Sequence, residues 1–577
     1  MLKTLLSRVR QYKWRSIITP VIMVCEVFME VLIPSLMALI IDNGVEKGDM
    51  GYVYGAALMI VGAAAIAFLL GTLSSRTASF AASGFASNLR EDMYAKIQDL
   101  SFSDIDRFST SSLITRMTKD VQNAQNVYMM SLRMLFKSPV MFVFAILMVI
   151  RNGQGLVNVF MIALPVMLLF IFIIIIFVRK YFARAFRSYD RFNQVVQENL
   201  AGIRTIKAYV REEEEEKKFS ESAERIRVNF DHALKIMSAA QPSVMLVAYA
   251  CMIAISYLGA KYINVGNMTT GQLMSIYTYT IQILMSMTVT SMIVVTFTNN
   301  WPSLKRIAEV LNYEPSMDLN EEKGMKEVKD GSVSFKHADF RYTEDGNPVL
   351  KDINLDIKSG ETIGILGPTG SGKSTLISLI ARLYDVTGGE VDVGGHNVKD
   401  YDVHALRNAV SVVLQKNTLF TGTVADNLRW GNENATEEEM IEALKASEAY
   451  SFISDNELGL NYHVEQKGAN FSGGQRQRLC IARALMKKPR ILIMDDSTSA
   501  VDTATDRSIR RSLSKTSGEM TRIVIAQRIS SIEDADRIVL IENGRIADVG
   551  THDELLVRDE AYRDLYETQS AKGGLDG

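Results

Sequence analysis

Three cysteines, Cys25, Cys251 and Cys480, are all that the 577 residues contain. Two fall in apolar runs and one in a soluble stretch, with no Cys-x-x-Cys or Cys/His spacing, so neither a disulfide framework nor a cysteine metal site is expected. An excess of either charge is also lacking. The formal net charge of −3 leaves no basic footprint, and no nucleic-acid partner is expected. Proline and glycine are scarce through 74–137 and 179–240, so these segments are not flexible linkers.

What is present is unevenly spread. Apolar residues make up 47% of the chain, an ordinary average, but long uncharged runs crowd the first half. The length exceeds what one core accommodates. A membrane domain followed by a soluble one is the expected split. Crossing a bilayer takes about 20 apolar residues. Candidate spans are 17–41, 52–73, 138–150, 155–178, 242–260 and 271–295. The third is short unless its helix begins earlier, with Arg133 and Lys137 snorkelling to the interface. The basic start MLKTLLSRVRQYKWR resembles a signal peptide, but the apolar run after it suits a span instead.

Arg8, Arg10, Lys13 and Arg15 precede the first span, and Lys and Arg are rich in the two long inter-span stretches. The positive-inside rule puts both termini and both long loops in the cytoplasm of a cell-membrane protein. Charge mixed with apolar residues at helical spacing reads as membrane helices running on past the bilayer. The run Glu212–Glu216 before Lys217 and Lys218 reads as a solvated helix with Glu213–Lys217 and Glu214–Lys218 pairs rather than a metal patch.

Past a charged linker (301–332), strand patterns alternate with helices over 333–570, which argues a mostly parallel α/β domain. Glu-Asn-Gly at 542–544 marks a hairpin. Residues 571–577 read as a disordered tail. Within this half, ETIGILGPTGSGKSTLISLI is a buried strand, a glycine-rich loop and a helix, matching G-x-x-x-x-G-K-[ST] at 367–374. Successive N–H groups of Gly367, Thr369, Gly370, Ser371, Gly372 and the helix start through Thr375 would cradle phosphate. Lys373 would reach the β/γ-phosphates of ATP, and Ser374 would ligate Mg²⁺. Downstream, the strand RILIMD ends in Asp495, placed to hold the same ion. Between them, Ser472, Gly473 and Gly474 open another helix, a second terminus able to meet an anion.

These features together resemble an ABC transporter of the exporter type. The resemblance implies a membrane all-α domain of six transmembrane helices with long cytoplasmic extensions (1–300), fused to an α/β P-loop NTPase domain. It implies that Tyr342 stacks on adenine, that Gln415 is the Q-loop glutamine and contacts Mg²⁺, and that Phe471, Ser472, Gly473, Gly474 and Gln475 form the signature. Ser499 to Asp502 resemble the D-loop. LSFSDIDRF and ENLAGIRTIKAY resemble loops whose short coupling helices dock on nucleotide domains. In this family two nucleotide domains pair head to tail, and each ATP lies between one P-loop and the other domain's signature.

Two positions depart from the family pattern. Where the family places a glutamate as general base stands Asp496; where it places a histidine on the γ-phosphate stands Gln527. One methylene fewer withdraws the carboxylate by about 1.5 Å, and misplacement by about 1 Å can cost roughly 10²-fold. Gln527 can donate to phosphate but carries no charge. With FSGGQ intact, the expectation is a heterodimer whose partner half-transporter carries the glutamate and histidine. A slow homodimer, an exporter-fold importer and an ATP-gated channel are the alternatives.

Glu26 and Glu30 lie one helical turn apart in the first span. Intramembrane carboxylates are functional candidates by default, here for attracting amphipathic cations; the alternative is pairing with another helix. Met274, Met285, Met287 and Met292 near Tyr277 and Tyr279 would suit varied ligands, or simply pack helices.

Overall fold

Long apolar runs with few breakers make the first half a succession of helices. The computed structural model describes residues 1–153, 155–318, 323–496, 502–516 and 519–573, with some side chains of 164–183 and 237–244 and those of 503, 515–516 and 571–573 outside the description. The helices are α1 (Leu2–Ser7), α2 (Lys13–Leu39), α3 (Met50–Gln98), α4 (Phe102–Phe108), α5 (Thr110–Thr115), α6 (Val121–Asn152), α7 (Val157–Ala201), α8 (Ile203–Ala208), α9 (Glu212–Ser238), α10 (Ala240–Asn264) and α11 (Thr270–Leu311).

Among the described residues, five helical stretches are long and apolar enough to cross a bilayer: Arg10–Val45, Met50–Gln98, Thr110–Asn152, Met245–Asn264 and Thr270–Leu311. The expected count was six. The remaining expected span, 155–178, falls on α7, a helix of 45 residues whose side chains are only partly described. The short third run is long enough because its helix starts well before Ser138. On α3, Leu58, Phe68 and Leu69 stay largely exposed, as apolar residues do when lipid rather than protein is their solvent. Its buried face includes the small residues Ala78, Ala81, Ala82 and Ala86, which let neighbouring helices approach closely, beside Phe85, Leu89 and Met93.

The helices run on well past their apolar stretches and turn over at the short α4 and α8. Arg306 on α11 grips Asp120 with two hydrogen bonds, 2.7 and 2.6 Å, and Arg116 reaches Glu309 at 2.9 Å. On α9 the expected Glu213–Lys217 and Glu214–Lys218 pairs give way to others. Lys218 lies 3.4 Å from Glu215, Lys207 is 3.1 Å from Glu212, and Arg211 pairs with Glu214. The long side chains reach one turn back or across to α8 instead.

The chain divides into two compact units. One comprises Met1–Ile97 and Ser111–Tyr313, the other Gln98–Thr110 and Glu314–Gly577. The helix α11 carries on to Leu311, so the expected linker start at 301 falls inside it. The segment with α4 belongs to the second unit, inserted from afar in sequence.

In the second unit the strands are β1 (Val333–Phe340), β2 (Leu350–Ile357), β3 (Thr362–Leu366), β4 (Gly388–Val393), β5 (His396–Asn397), β6 (Val410–Val413), β7 (Gly422–Thr423), β8 (His463–Val464), β9 (Ile491–Asp495), β10 (Thr521–Ile525), β11 (Arg537–Glu542) and β12 (Arg545–Gly550). The helices are α12 (Lys373–Ile380), α13 (Val403–Ala409), α14 (Val424–Arg429), α15 (Glu437–Ala446), α16 (Tyr450–Ser454), α17 (Gly473–Leu485), α18 (Thr503–Thr516), α19 (His552–Arg558) and α20 (Glu560–Gly573).

The main sheet has the order β12-β11-β3-β10-β9-β6 and is parallel except for β12. The strands β3, β9, β10 and β11 are largely buried on both faces, which is why they read as continuous apolar runs. The expected hairpin joins β11 to β12, with Asn543 and Gly544 both left-handed at φ 49° and 78°. The reading of a mostly parallel domain needs one correction. The pattern SVSFKHADF belongs to a separate antiparallel sheet, β2-β1-β4-β5, pairing Val333 with both Ile357 and Val393.

Candidate nucleotide site

Three parallel strands of the main sheet end side by side and deliver the candidate groups. The buried β3 feeds the loop 367–372, β9 ends in Asp495, and β10 leads to Gln527. The loop crowds the neighbouring strand. A Cβ on Gly367 would stand 2.2 Å from the carbonyl oxygen of Ile541, so only glycine fits. Gly372 caps α12 with a left-handed φ of 102°.

Lys373 bends back over the loop and donates to the carbonyl oxygens of Gly367 and Pro368, both at 2.8 Å. Burial pushes its ammonium below the ordinary lysine value, while Asp495 and Asp496 pull it back up. The hydroxyl of Ser371 is buried within the loop and meets no hydrogen-bond partner among the described residues. A buried orphan hydroxyl amid inward-turned backbone fits a phosphate-binding loop, whose ligand supplies the missing partner.

Asp495 is buried at the end of β9. Burial raises its carboxyl above the usual range; a hydrogen bond from Ser374 lowers it, Asp496 raises it further and Lys373 lowers it. The pairing of a hydroxyl with a desolvated carboxylate is the hard oxygen set that Mg²⁺ takes.

Asp496 sits beyond the strand with a left-handed φ of 46° and its N–H donating to the Ile525 carbonyl at 3.0 Å. Its Oδ2 accepts from the Gln527 amide at 2.8 Å and from the Gln415 amide at 3.4 Å. Asp496 and Gln527, the two residues that the sequence singled out for the γ-phosphate, therefore meet at one oxygen, which the Q-loop Gln415 also reaches. Sequence reasoning missed Gln569 on α20. Its amide donates to the Gln527 carbonyl at 3.0 Å and its oxygen accepts from the Ile529 N–H at 2.8 Å. No motif marks it, because a side chain 42 positions away in the chain has no local signature.

Tyr342 follows β1, half exposed, and its hydroxyl lies 2.9 Å from that of Thr375 in the first turn of α12. Phe340 and Tyr384 hold its ring edge-on at 4.9 and 5.3 Å. The signature segment opens α17. Ser472 accepts from the Gln475 N–H at 3.3 Å while Gln475 accepts from the Ser472 N–H at 2.9 Å, a capping box. Phe471 is buried, edge-on to Tyr462 and Phe452, which leaves Ser472 and Gly473 exposed at the helix start. Asp502 accepts from the Thr505 N–H at 2.9 Å, which holds its carboxyl below the usual range. Ser499 lies outside the described residues; of the tail expected at 571–577, residues 571–573 are the end of α20 and 574–577 lie outside the described residues.

In the first unit, Glu26 and Glu30 do share a face, and Lys137 of α6 donates to both, at 2.7 and 2.8 Å. Lys137 turns inward to the two carboxylates, and Arg133 donates to Ser75 of α3 at 3.3 Å. Pairing removes the cost of isolated charge in an apolar layer. One carboxylate charge remains in excess, and Glu26 Oε2 is buried without a hydrogen bond. Tyr279 is not presented to a ligand. It is buried and donates to the Val31 carbonyl at 2.9 Å.

Comparisons with known proteins give the family and the fold. The family model of the ABC transporter transmembrane region matches residues 16–287, and that of the ABC transporter matches residues 350–499. The chain is 34% identical to "Uncharacterized ABC transporter ATP-binding protein YfiB" of Bacillus subtilis over 569 residues, covering 99% of each. It is 29% identical to the "ATP-dependent lipid A-core flippase" of Pectobacterium atrosepticum, covering 94% of this chain and 93% of that one. Among solved structures, "Structure of a bacterial Atm1-family ABC exporter with ATP bound" shares its fold with a TM-score of 0.81 at 23% identity, covering 96% of this chain and 98% of the other.

Proposed function

The chain belongs to the ABC transporter family, and we propose that it is one half of an ATP-driven exporter whose own site holds ATP but cleaves it slowly. The observation that carries this is the bond from the Gln527 amide to Asp496 Oδ2 at 2.8 Å. A general base must accept a proton from the attacking water within hydrogen-bond reach. Here the carboxylate is short, and its oxygen already serves two amides. Gln527 adds no positive charge to set against the γ-phosphate.

The exposed, capped start of α17 supports a different duty for the signature: completing the site whose P-loop belongs to a partner half-transporter. That partner would carry the glutamate and histidine lacking here. Asp495 and Ser374, with Gln415, would hold Mg²⁺, which when bound offsets charge on the phosphates. Closure of two nucleotide domains on ATP would turn a cavity from the cytoplasm outward, and the excess charge at Glu26 and Glu30 favours amphipathic cations as cargo. The test is the double change Asp496→Glu with Gln527→His, expected to add hydrolysis at this chain's own site. No gain in site-resolved hydrolysis, with ATP still bound, counts against the reading.

A further inference from the structure

One cavity of the first unit is lined by cations that the nucleotide site does not use. The helices α7 and α9 run antiparallel and are fastened by aromatic contacts: Phe182 and Phe186 each meet Phe230 at 6.2 Å, and Phe192 meets Phe219 at 5.0 Å. Asn229 donates to the Ser188 hydroxyl at 2.8 Å. This register brings Arg184, Arg187 and Arg191, spaced along one face of α7, together with Arg225 of α9 around a cavity of about 360 Å³. Ser222 supplies a further hydroxyl to its wall.

Among the described residues no carboxylate lines this cavity. The neighbouring acids are engaged elsewhere: Glu224 accepts from Arg227 at 2.7 and 2.6 Å, Asp231 pairs with Lys235 at 2.7 Å, and Glu198 stands 3.9 Å from Lys218. Asp190 and Glu221 are close in sequence but do not face it. Arg184 lies over the ring of Tyr181, 5.8 Å from its centroid. Single exposed arginines need no explanation. Four converging on one concavity repel each other, and a multivalent anion relieves that repulsion. The planar guanidinium matches phosphate oxygens two at a time, which an ammonium cannot do.

Position admits two sources. The apolar run of α7 ends at 178, so at 1.5 Å per residue Arg184 stands about 9 Å beyond it and Arg191 about 20 Å. The headgroup layer is about 5–7 Å deep on each side. Arg184 therefore lies at the margin of the headgroups, with the other arginines farther out.

We propose that this arginine cavity between α7 and α9 is a phosphate-binding site, taking the phosphate of an anionic lipid headgroup or of a soluble phosphate compound. Phenylglyoxal labelling of the full chain in a phosphate-free maltoside detergent tests it, with peptide mass spectrometry reading Arg187, Arg225 and the exposed Arg204 of α8 as reference. Protection of Arg187 and Arg225 by phosphatidylglycerol alone assigns a lipid headgroup; protection by inorganic phosphate, with or without phosphatidylglycerol, assigns the soluble source. No protection by either probe, or equal protection of Arg204, overturns the site. The variant Arg187→Gln with Arg225→Gln is expected to bind whichever probe protects the unaltered chain at least roughly tenfold more weakly, and unchanged binding of that probe overturns the site. Should that variant not fold, the labelling of the unaltered chain still decides.

Discussion

Between the Gln527 amide and the Asp496 carboxylate there are 2.8 Å, and that contact sets what the residue can do. On the proposed reading, this base, engaged by a neighbouring amide and recessed by a methylene, contributes little to turnover. Replacing it should therefore change little. In the native complex, Asp496→Asn is expected to leave steady-state ATP hydrolysis nearly unaltered, measured as phosphate release. In a site that depended on this base the same change would cost roughly 10²–10⁴-fold. Lys137 gives the opposite case. It satisfies two carboxylates in an apolar layer, so Lys137→Met strands both charges. Breaking a buried pair by removing one partner costs about 3 kcal/mol, with the remaining exposure of Lys137 reducing that figure. Thermal unfolding in detergent should show Lys137→Met less stable than the triple change that also makes Glu26→Gln and Glu30→Gln. Equal stability of the two would mean that the carboxylates have another partner.

At the scale of elements, α4 joins the second unit through side chains that the sequence pattern does not advertise. Its Asp106 accepts from the Tyr384 hydroxyl at 2.6 Å, and Phe102 lies 6.1 Å from the ring of Tyr384. Asp104 caps the same helix in a box with Ser101. Burial, and then Asp106 itself, push the tyrosine hydroxyl above its ordinary value of 10.0, so the protonated donor is favoured in the folded state. The stability that this bond contributes is therefore complete below pH 10.0 and is lost only as pH rises through the higher folded value. Tyr384→Phe removes a hydrogen bond of about 1 kcal/mol, and amide exchange over 102–108 should quicken by several-fold while exchange in β3 stays unchanged. Unaltered exchange over 102–108 would show that the aromatic contact alone holds α4.

The elements also show what could be read in advance. The strands β3, β9, β10 and β11 were legible because burial on both faces leaves a continuous apolar run, and the phosphate loop because its glycines answer a steric demand at fixed spacing. The antiparallel sheet was harder. LKDINLDI and GGEVDV alternate with charge, and only pairing with β1, which for β4 spans a long stretch of chain, makes them strands. The partners of Lys137, Asp496 and Gln527 were illegible for a similar reason: each contact joins residues distant in sequence, and periodicity carries no information about which side chain will turn toward which.

For the whole molecule, the chain is a membrane-spanning helical unit and an ATP-binding unit in one polypeptide, a half-transporter with the exporter fold. On the proposed reading the signature serves a site in the opposite subunit, which makes the dimer the working entity. The full chain purified alone is accordingly expected to bind ATP with Mg²⁺ and to release phosphate slowly. Adding the native partner should raise hydrolysis far more than doubling the amount of this chain. The most direct measurement is isolation of the native complex, with its subunits identified and nucleotide cleavage resolved at each P-loop. The account predicts two different chains, with cleavage at the partner's P-loop and intact ATP retained over Lys373. Two copies of this chain, each cleaving ATP rapidly, would contradict it.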